Sequence, residues 1–85
     1  MKLLKEINLH GHTLYAAKTA AVEHIGNAYN TDEDGILFIH GHNGGTSIRD
    51  YLRSPALFAD LDKDGLNVIK RLDTSKPGST VIYFT

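Results

Sequence analysis

Apolar and polar residues alternate along Glu6-Ile7-Asn8-Leu9-His10, the period-two pattern of a short strand. The period then lengthens. Leu14, Ala17, Ala21, Ile25 and Ala28 recur every three or four positions, and Val22 widens the stripe. That spacing predicts a helix from Leu14 to about Tyr29, with Thr13 as its N-cap. The many alanines suit close approach to a sheet. Gly26 costs about 1 kcal/mol relative to Ala inside a helix, so a frayed or early last turn is expected. Asn30-Thr31-Asp32-Glu33-Asp34-Gly35 is a polar turn. Ile36-Leu37-Phe38-Ile39 is apolar throughout, which reads as a buried central strand.

A glycine-rich loop follows, and then a helix from about Ser47 to Arg53 with Ile48, Tyr51 and Leu52 as its apolar face. Pro55 stops it near Ser54, and Ala56 to Asp60 reads as another helical turn. Leu66 to Leu72 reads as a third strand, Lys76-Pro77-Gly78 as a turn, and Thr80 to Phe84 as a fourth strand rich in β-branched and aromatic residues. The last two strands form an antiparallel hairpin. The order is β-α-β-α-β-β. Two amphipathic helices cover only one face of a sheet, so the expected fold is α/β, a two-layer sandwich. It has a mixed four-stranded sheet with both helices on one face. The 85 residues make one domain, 1–85.

The chain has no cysteine, which removes disulfides and thiolate metal sites and fits a reducing cytoplasm. Met1-Lys2-Leu3-Leu4-Lys5 is too short for the apolar region of a secretory leader. No apolar run approaches the roughly 20 residues of a membrane helix. A cytoplasmic chain without membrane contact is expected. The net charge of -1 argues against indiscriminate coating of nucleic acid. It leaves room for a local phosphate site.

The two strand-to-helix junctions are near copies: His10-Gly11-His12-Thr13 and His40-Gly41-His42-Asn43. If the first two strands are parallel, both junctions lie at the carboxyl edge of the sheet, where open α/β sheets bind ligands. Four of the five histidines then share one rim. His24, in mid-helix, reads as a surface residue.

These parts suit a phosphodiester. Helix starts offer unpaired N–H groups and partial positive charge. Gly44 and Gly45 let the backbone approach a phosphate closely. Thr46 and Ser47 add hydroxyls, and Arg49 can fork two phosphate oxygens. Histidine titrates near neutrality, so one ring can take a proton while another gives one. On RNA the proton would come from a 2′-hydroxyl. On DNA a water would have to be activated.

Asn8-Leu9-His10-Gly11, Thr13 with its long helix, then Ile39-His40-Gly41 with its glycine-rich continuation and Ile48-Arg49, resemble the Smr (small MutS-related) domain. Gly78-Ser79-Thr80-Val81-Ile82 resembles that family's final strand. The likeness runs from about Glu6 to Phe84. It implies endonuclease or nicking activity on RNA or on single-stranded or branched DNA, with His10 and His40 catalytic. The family's first motif is matched by His10 and Gly11, its second by His40, Gly41 and Gly45, and Arg49 resembles the arginine that follows. With the reading of the loops themselves, the candidate phosphate-binding residues are Gly11, His12, Gly41, His42, Asn43, Gly44, Gly45, Thr46 and Arg49. Two positions depart from the family pattern. Asn8 stands where its first motif has Asp, and an amide neither takes a proton nor holds a cation well. Asn43 stands where its second loop has glycine.

Other readings remain beside this one. A relative without catalysis would keep only the phosphate cradle, and a protein-interaction module would keep the loop for structure alone. A divalent cation such as magnesium is one option as cofactor. Asp60-Leu61-Asp62-Lys63-Asp64-Gly65 matches the first half of a calcium loop, but its twelfth position is Arg71 rather than Glu. Zinc on the rim histidines lacks an acidic partner nearby in sequence. Neither calcium nor zinc is expected. Lys70 and Arg71, on the third strand, either extend a nucleic-acid surface or guard the sheet against edge pairing.

Overall fold

A computed structural model describes residues 4–41 and 46–85. Among them the elements are β1 (Leu4–Asn8), α1 (Leu14–Asn30), β2 (Gly35–Ile39), α2 (Ser47–Leu52), α3 (Pro55–Lys63), β3 (Arg71–Asp73) and β4 (Ser79–Tyr83). The sheet order is β1-β2-β4-β3. β1 and β2 are parallel, while β4 runs antiparallel to both β2 and β3.

Side-chain alternation sorts the sheet into two faces. Ile36, Phe38, Thr80 and Ile82 are fully buried under the helices, and Leu9 joins them from beyond β1. Leu37, Ile39, Val81 and Tyr83 face the other way and are half-buried. The helices pack on one another, α1 on β2 and α2 on β4. α1 contributes Ala17, Ala21, Ile25 and Ala28, all fully buried, to this core. Leu14, the expected start of that stripe, is 41% exposed. The Thr13 side chain accepts a hydrogen bond from the Ala16 amide, as an N-cap should.

α1 runs past Gly26 without a break, and the missing side chain has a packing reason. A Cβ there would come within 3.3 Å of Leu66 Cδ1, so the glycine is where the chain leaving α3 crosses α1. α1 ends with Asp32 in the left-handed region at φ 62°. The Asp32 and Glu33 amides close the last turn on Tyr29 and Ala28 oxygens.

The stretch after Pro55 is a full helix of 9 residues, not a stray turn. Ser54 caps it by accepting from the Ala56 amide, Pro55 starts it, and Leu57 and Leu61 are buried. Asp60 to Asp64 therefore form its last turn and C-cap rather than a loop. Gly65, at φ 71°, ends it, with the Gly65 and Leu66 amides donating back to Asp62 and Leu61 oxygens.

The third strand is shorter than the pattern suggested. Pairing covers only Arg71–Asp73, although the Lys70 amide already donates to Tyr83 O. Leu66, Val68 and Ile69 pack on the core from the side instead. Because α3 ends in the helix layer, residues 66–70 are spent crossing back to the sheet. Arg71 faces the open side of the sheet and lies 3.7 Å from the ring centre of Tyr83, its cross-strand neighbour.

Candidate functional site

The parallel register pairs Asn8 with Ile39, so both His-Gly corners leave the sheet at the same edge. The Leu9 amide extends that pairing to Ile39 O at 2.7 Å. The first corner is a tight turn. The His10 amide donates to Asn8 Oδ1 at 2.8 Å, and the His12 amide donates to Leu9 O at 3.1 Å. Gly11, at φ 88°, supplies the left-handed residue that such a turn needs. Asn8 thus acts through its side-chain oxygen, which a carboxylate would also provide.

The second corner is fixed differently. The His40 and Gly41 amides both donate to Gly78 O at 3.0 Å, tying the corner to the turn before β4. His40 continues the Ile36–Phe38 alternation and so points into the helix layer, where it is only 6% exposed. Its Nδ1 lies 2.9 Å from Gly41 O, and its Nε2 lies 2.9 Å from Thr80 Oγ1. A carbonyl only accepts, so Nδ1 carries the proton and Nε2 accepts from the Thr80 hydroxyl. That hydroxyl in turn accepts from Arg53 Nε at 3.0 Å, while Arg53 Nη2 donates to Lys76 O and Ser79 O. Burial, with Arg53 and Arg49 adding to it, holds the His40 pKa below its usual value against the upward pull of the Gly41 hydrogen bond.

The two corners touch at Gly41. It adopts φ 73°, and a Cβ on it would collide with the His10 ring. The exposed His10 ring therefore lies on the bare backbone of the opposite loop. Beside it a cleft of about 320 Å³ is lined by His10, Gly11, His12, His40, Ser47 and Arg49, with Leu14 and Ile48 as apolar wall. His10 and His12 are exposed, whereas His40 contributes an edge whose two nitrogens are already engaged.

Arg49 and Thr46 both turn to Asp50. Thr46 Oγ1 donates to Asp50 Oδ2 at 2.8 Å, and Arg49 Nη2 lies 3.2 Å from Asp50 Oδ1. Those two bonds, Thr46 first, lower the Asp50 pKa. An incoming phosphate would compete with this carboxylate for Arg49. Thr46 does not line the cleft. His42, Asn43, Gly44 and Gly45 lie outside the described residues. Among the described residues, no three His, Cys, Asp or Glu side chains gather in a set able to hold a metal ion. A larger hollow of about 600 Å³ lies on the open sheet face against Leu37, Ile39 and Val81, and it contains no histidine.

Arg53 and Thr80 escaped the sequence reading. Period-two spacing carried a signal for the buried pair, since His40 falls in step with Phe38 and Thr80 with Ile82. Arg53 had no local signal, because its partners lie more than 20 residues away.

The chain superposes on the solved Smr domain of Thermus thermophilus MutS2 with a TM-score of 0.73, over 94% of this chain and 96% of that one. The chain has the Smr fold. Sequence identity in that comparison is 21%. No protein-family profile and no curated sequence matches the chain. On this Smr fold the two His-Gly motifs occupy adjacent parallel strands, which is why short, separated motifs lie on one cleft. Among the described residues no helix is long and apolar enough to cross a membrane.

Proposed function

We propose that this Smr-like chain is a nucleic-acid-processing nuclease. It grips a phosphodiester backbone in the His10 cleft and cleaves it by proton transfer, with RNA or single-stranded DNA as substrate. One observation carries the reading: both His-Gly corners meet on one rim, with His10 and His12 open to solvent in a cleft shared with Arg49. The common fold and the motif likeness support nucleic acid as the substrate class.

On RNA, the His10 imidazole takes the proton of a 2′-hydroxyl, and that oxygen attacks the adjacent phosphorus. The bond to the 5′-oxygen breaks, and the leaving oxygen takes a proton from His12. The products are a 2′,3′-cyclic phosphate and a 5′-hydroxyl. Arg49, exchanging Asp50 for phosphate, offsets charge on the non-bridging oxygens. His40 then serves as a positioning residue, because its Nδ1 holds Gly41 O under His10 while its Nε2 is taken by the Thr80 hydroxyl.

The test is cleavage of end-labelled RNA and single-stranded DNA, with and without chelator, by the unaltered chain, His10→Ala and His40→Ala. Cleavage by the unaltered chain and a fall of about 10²–10⁴-fold in His10→Ala are expected. The chelator arm reads any need for a divalent cation. Absence of cleavage on both substrates by the unaltered chain overturns the nuclease reading.

A second reading, binding without cleavage, draws on Asn8, a neutral amide beside the site, and on the engaged ring of His40. It expects salt-sensitive retention of the same oligonucleotides, uncut.

A further inference from the structure

The α1 stripe that builds the core leaves Leu14 and Tyr15 outside it. Tyr15 is 81% exposed, well beyond Tyr29 at 47%, Phe58 at 42% and Leu4 at 39%. It occupies the first turn of α1, directly after the His10 corner, and its neighbour Leu14 is part of the cleft wall. Leu14 thus walls the polar cleft, while Tyr15, the next residue on the first turn of α1, lines a separate shallow hollow and is the most exposed of the large apolar side chains among the described residues.

The charge around Tyr15 is balanced. It shares a shallow hollow with Lys18, Lys63, Asp60 and Asp64. Asp60 already accepts from the Tyr51 hydroxyl at 2.7 Å and lies 3.6 Å from Lys63 Nζ. Such a surface gives little attraction to a phosphate, whereas the cleft beside it offers Arg49 and two histidines. An uncharged, flat group suits Tyr15, and a charged one suits the cleft. A nucleotide carries both, but its base can lie on an aromatic ring only if it is not stacked within a duplex.

Resting on the proposed function above, we propose that Tyr15 is a stacking platform for one unpaired base of a single-stranded nucleic acid whose phosphates lie in the His10 cleft. This makes the preferred substrate single-stranded and largely indifferent to base identity, since every base has a π-face.

The experiment is equilibrium binding of the full chain to three fluorescein-labelled oligonucleotides: a single strand, the same length of abasic sugar-phosphate, and a duplex. Tyr15→Ala should weaken single-strand binding about tenfold. Tyr15→Phe should keep it, and Tyr15→Ala should bind the abasic strand as the unaltered chain does. The chain has no tryptophan, so Tyr15→Trp is a lone reporter whose emission should be quenched by the base-bearing strand and not by the abasic one. Unchanged single-strand affinity in Tyr15→Ala overturns this inference alone and leaves the cleft reading intact. So does equal loss on base-bearing and abasic strands, or preference for the duplex. If the unaltered chain binds none of the three, both readings fall. Tyr15 is 81% exposed, so the melting temperature of each variant should stay close to the parent's.

Discussion

His40 Nε2 lies 2.9 Å from the Thr80 hydroxyl, across residues that are 40 apart in sequence. That contact makes the second His-Gly corner part of the core. The hydroxyl links three elements at once: it donates to the ring on the loop after β2, accepts from Arg53 after α2, and belongs to β4.

Thr80→Val keeps the shape and deletes the link. It leaves His40 Nε2 and Arg53 Nε short of a partner in a buried setting, which should cost about 1–3 kcal/mol. Urea denaturation gives the number, and Thr80→Ser, which retains the hydroxyl, should recover most of it. Equal stability of the Val variant and the parent would mean the ring and guanidinium find other partners.

Stability should fall on mild acidification. Burial holds the folded His40 below its ordinary 6.5, so the unfolded chain binds this proton more readily. Above about pH 7.5 both states are neutral here and the contribution is complete; it erodes as pH drops through 6.5 toward the lowered folded value. Urea midpoints of the parent and His40→Gln at about pH 7.5 and 5.5 isolate the effect, since all other titrating groups are shared. The parent should lose more on acidification. Parallel losses would refute the assignment.

Gly41→Ala tests the contact between corners. A left-handed φ of 73° disfavours any side chain by about 1–2 kcal/mol, and the new Cβ meets the His10 ring. Reduced thermal stability and a shifted His10 ring resonance in NMR spectra are expected together. A variant whose His10 signal stays in place would show that the ring does not rest on this glycine.

Asn8→Asp separates geometry from charge. A carboxylate oxygen can accept the His10 amide as the carboxamide does, so stability should stay within about 0.5 kcal/mol. Asn8→Ala should lose about 0.5–1.5 kcal/mol with that hydrogen bond. Any gain in cleavage by the Asp variant then reads the charge alone.

The periods of the chain were enough for α1, β2 and β4: a stripe every three or four residues, an unbroken apolar run, a run of β-branched and aromatic residues. The parallel pairing of β1 with β2 is a condition at the level of sequence, and the structure meets it. The shared rim follows from that pairing, because parallel strands end at one edge. Asp60 to Gly65 has the composition of a loop, yet Ser54 and Pro55 start a helix that runs on to Lys63. Leu66 to Ile69 looked like strand because lateral cover of α1 needs the same apolar residues that a strand would.

The sequence alone determined that the His10 and His40 corners leave neighbouring strands, since that depends on turn chemistry and periodicity within short windows. Only the tertiary structure decided how each one is placed at the rim. His10 and His40 sit in matching motifs, yet one ring lies in solvent on Gly41 while the other is buried against Thr80. The choice between them is made by packing: the face of β2 that carries His40 is the face the helices cover, and the hydroxyl, carbonyl and guanidinium that satisfy it arrive from distant parts of the chain.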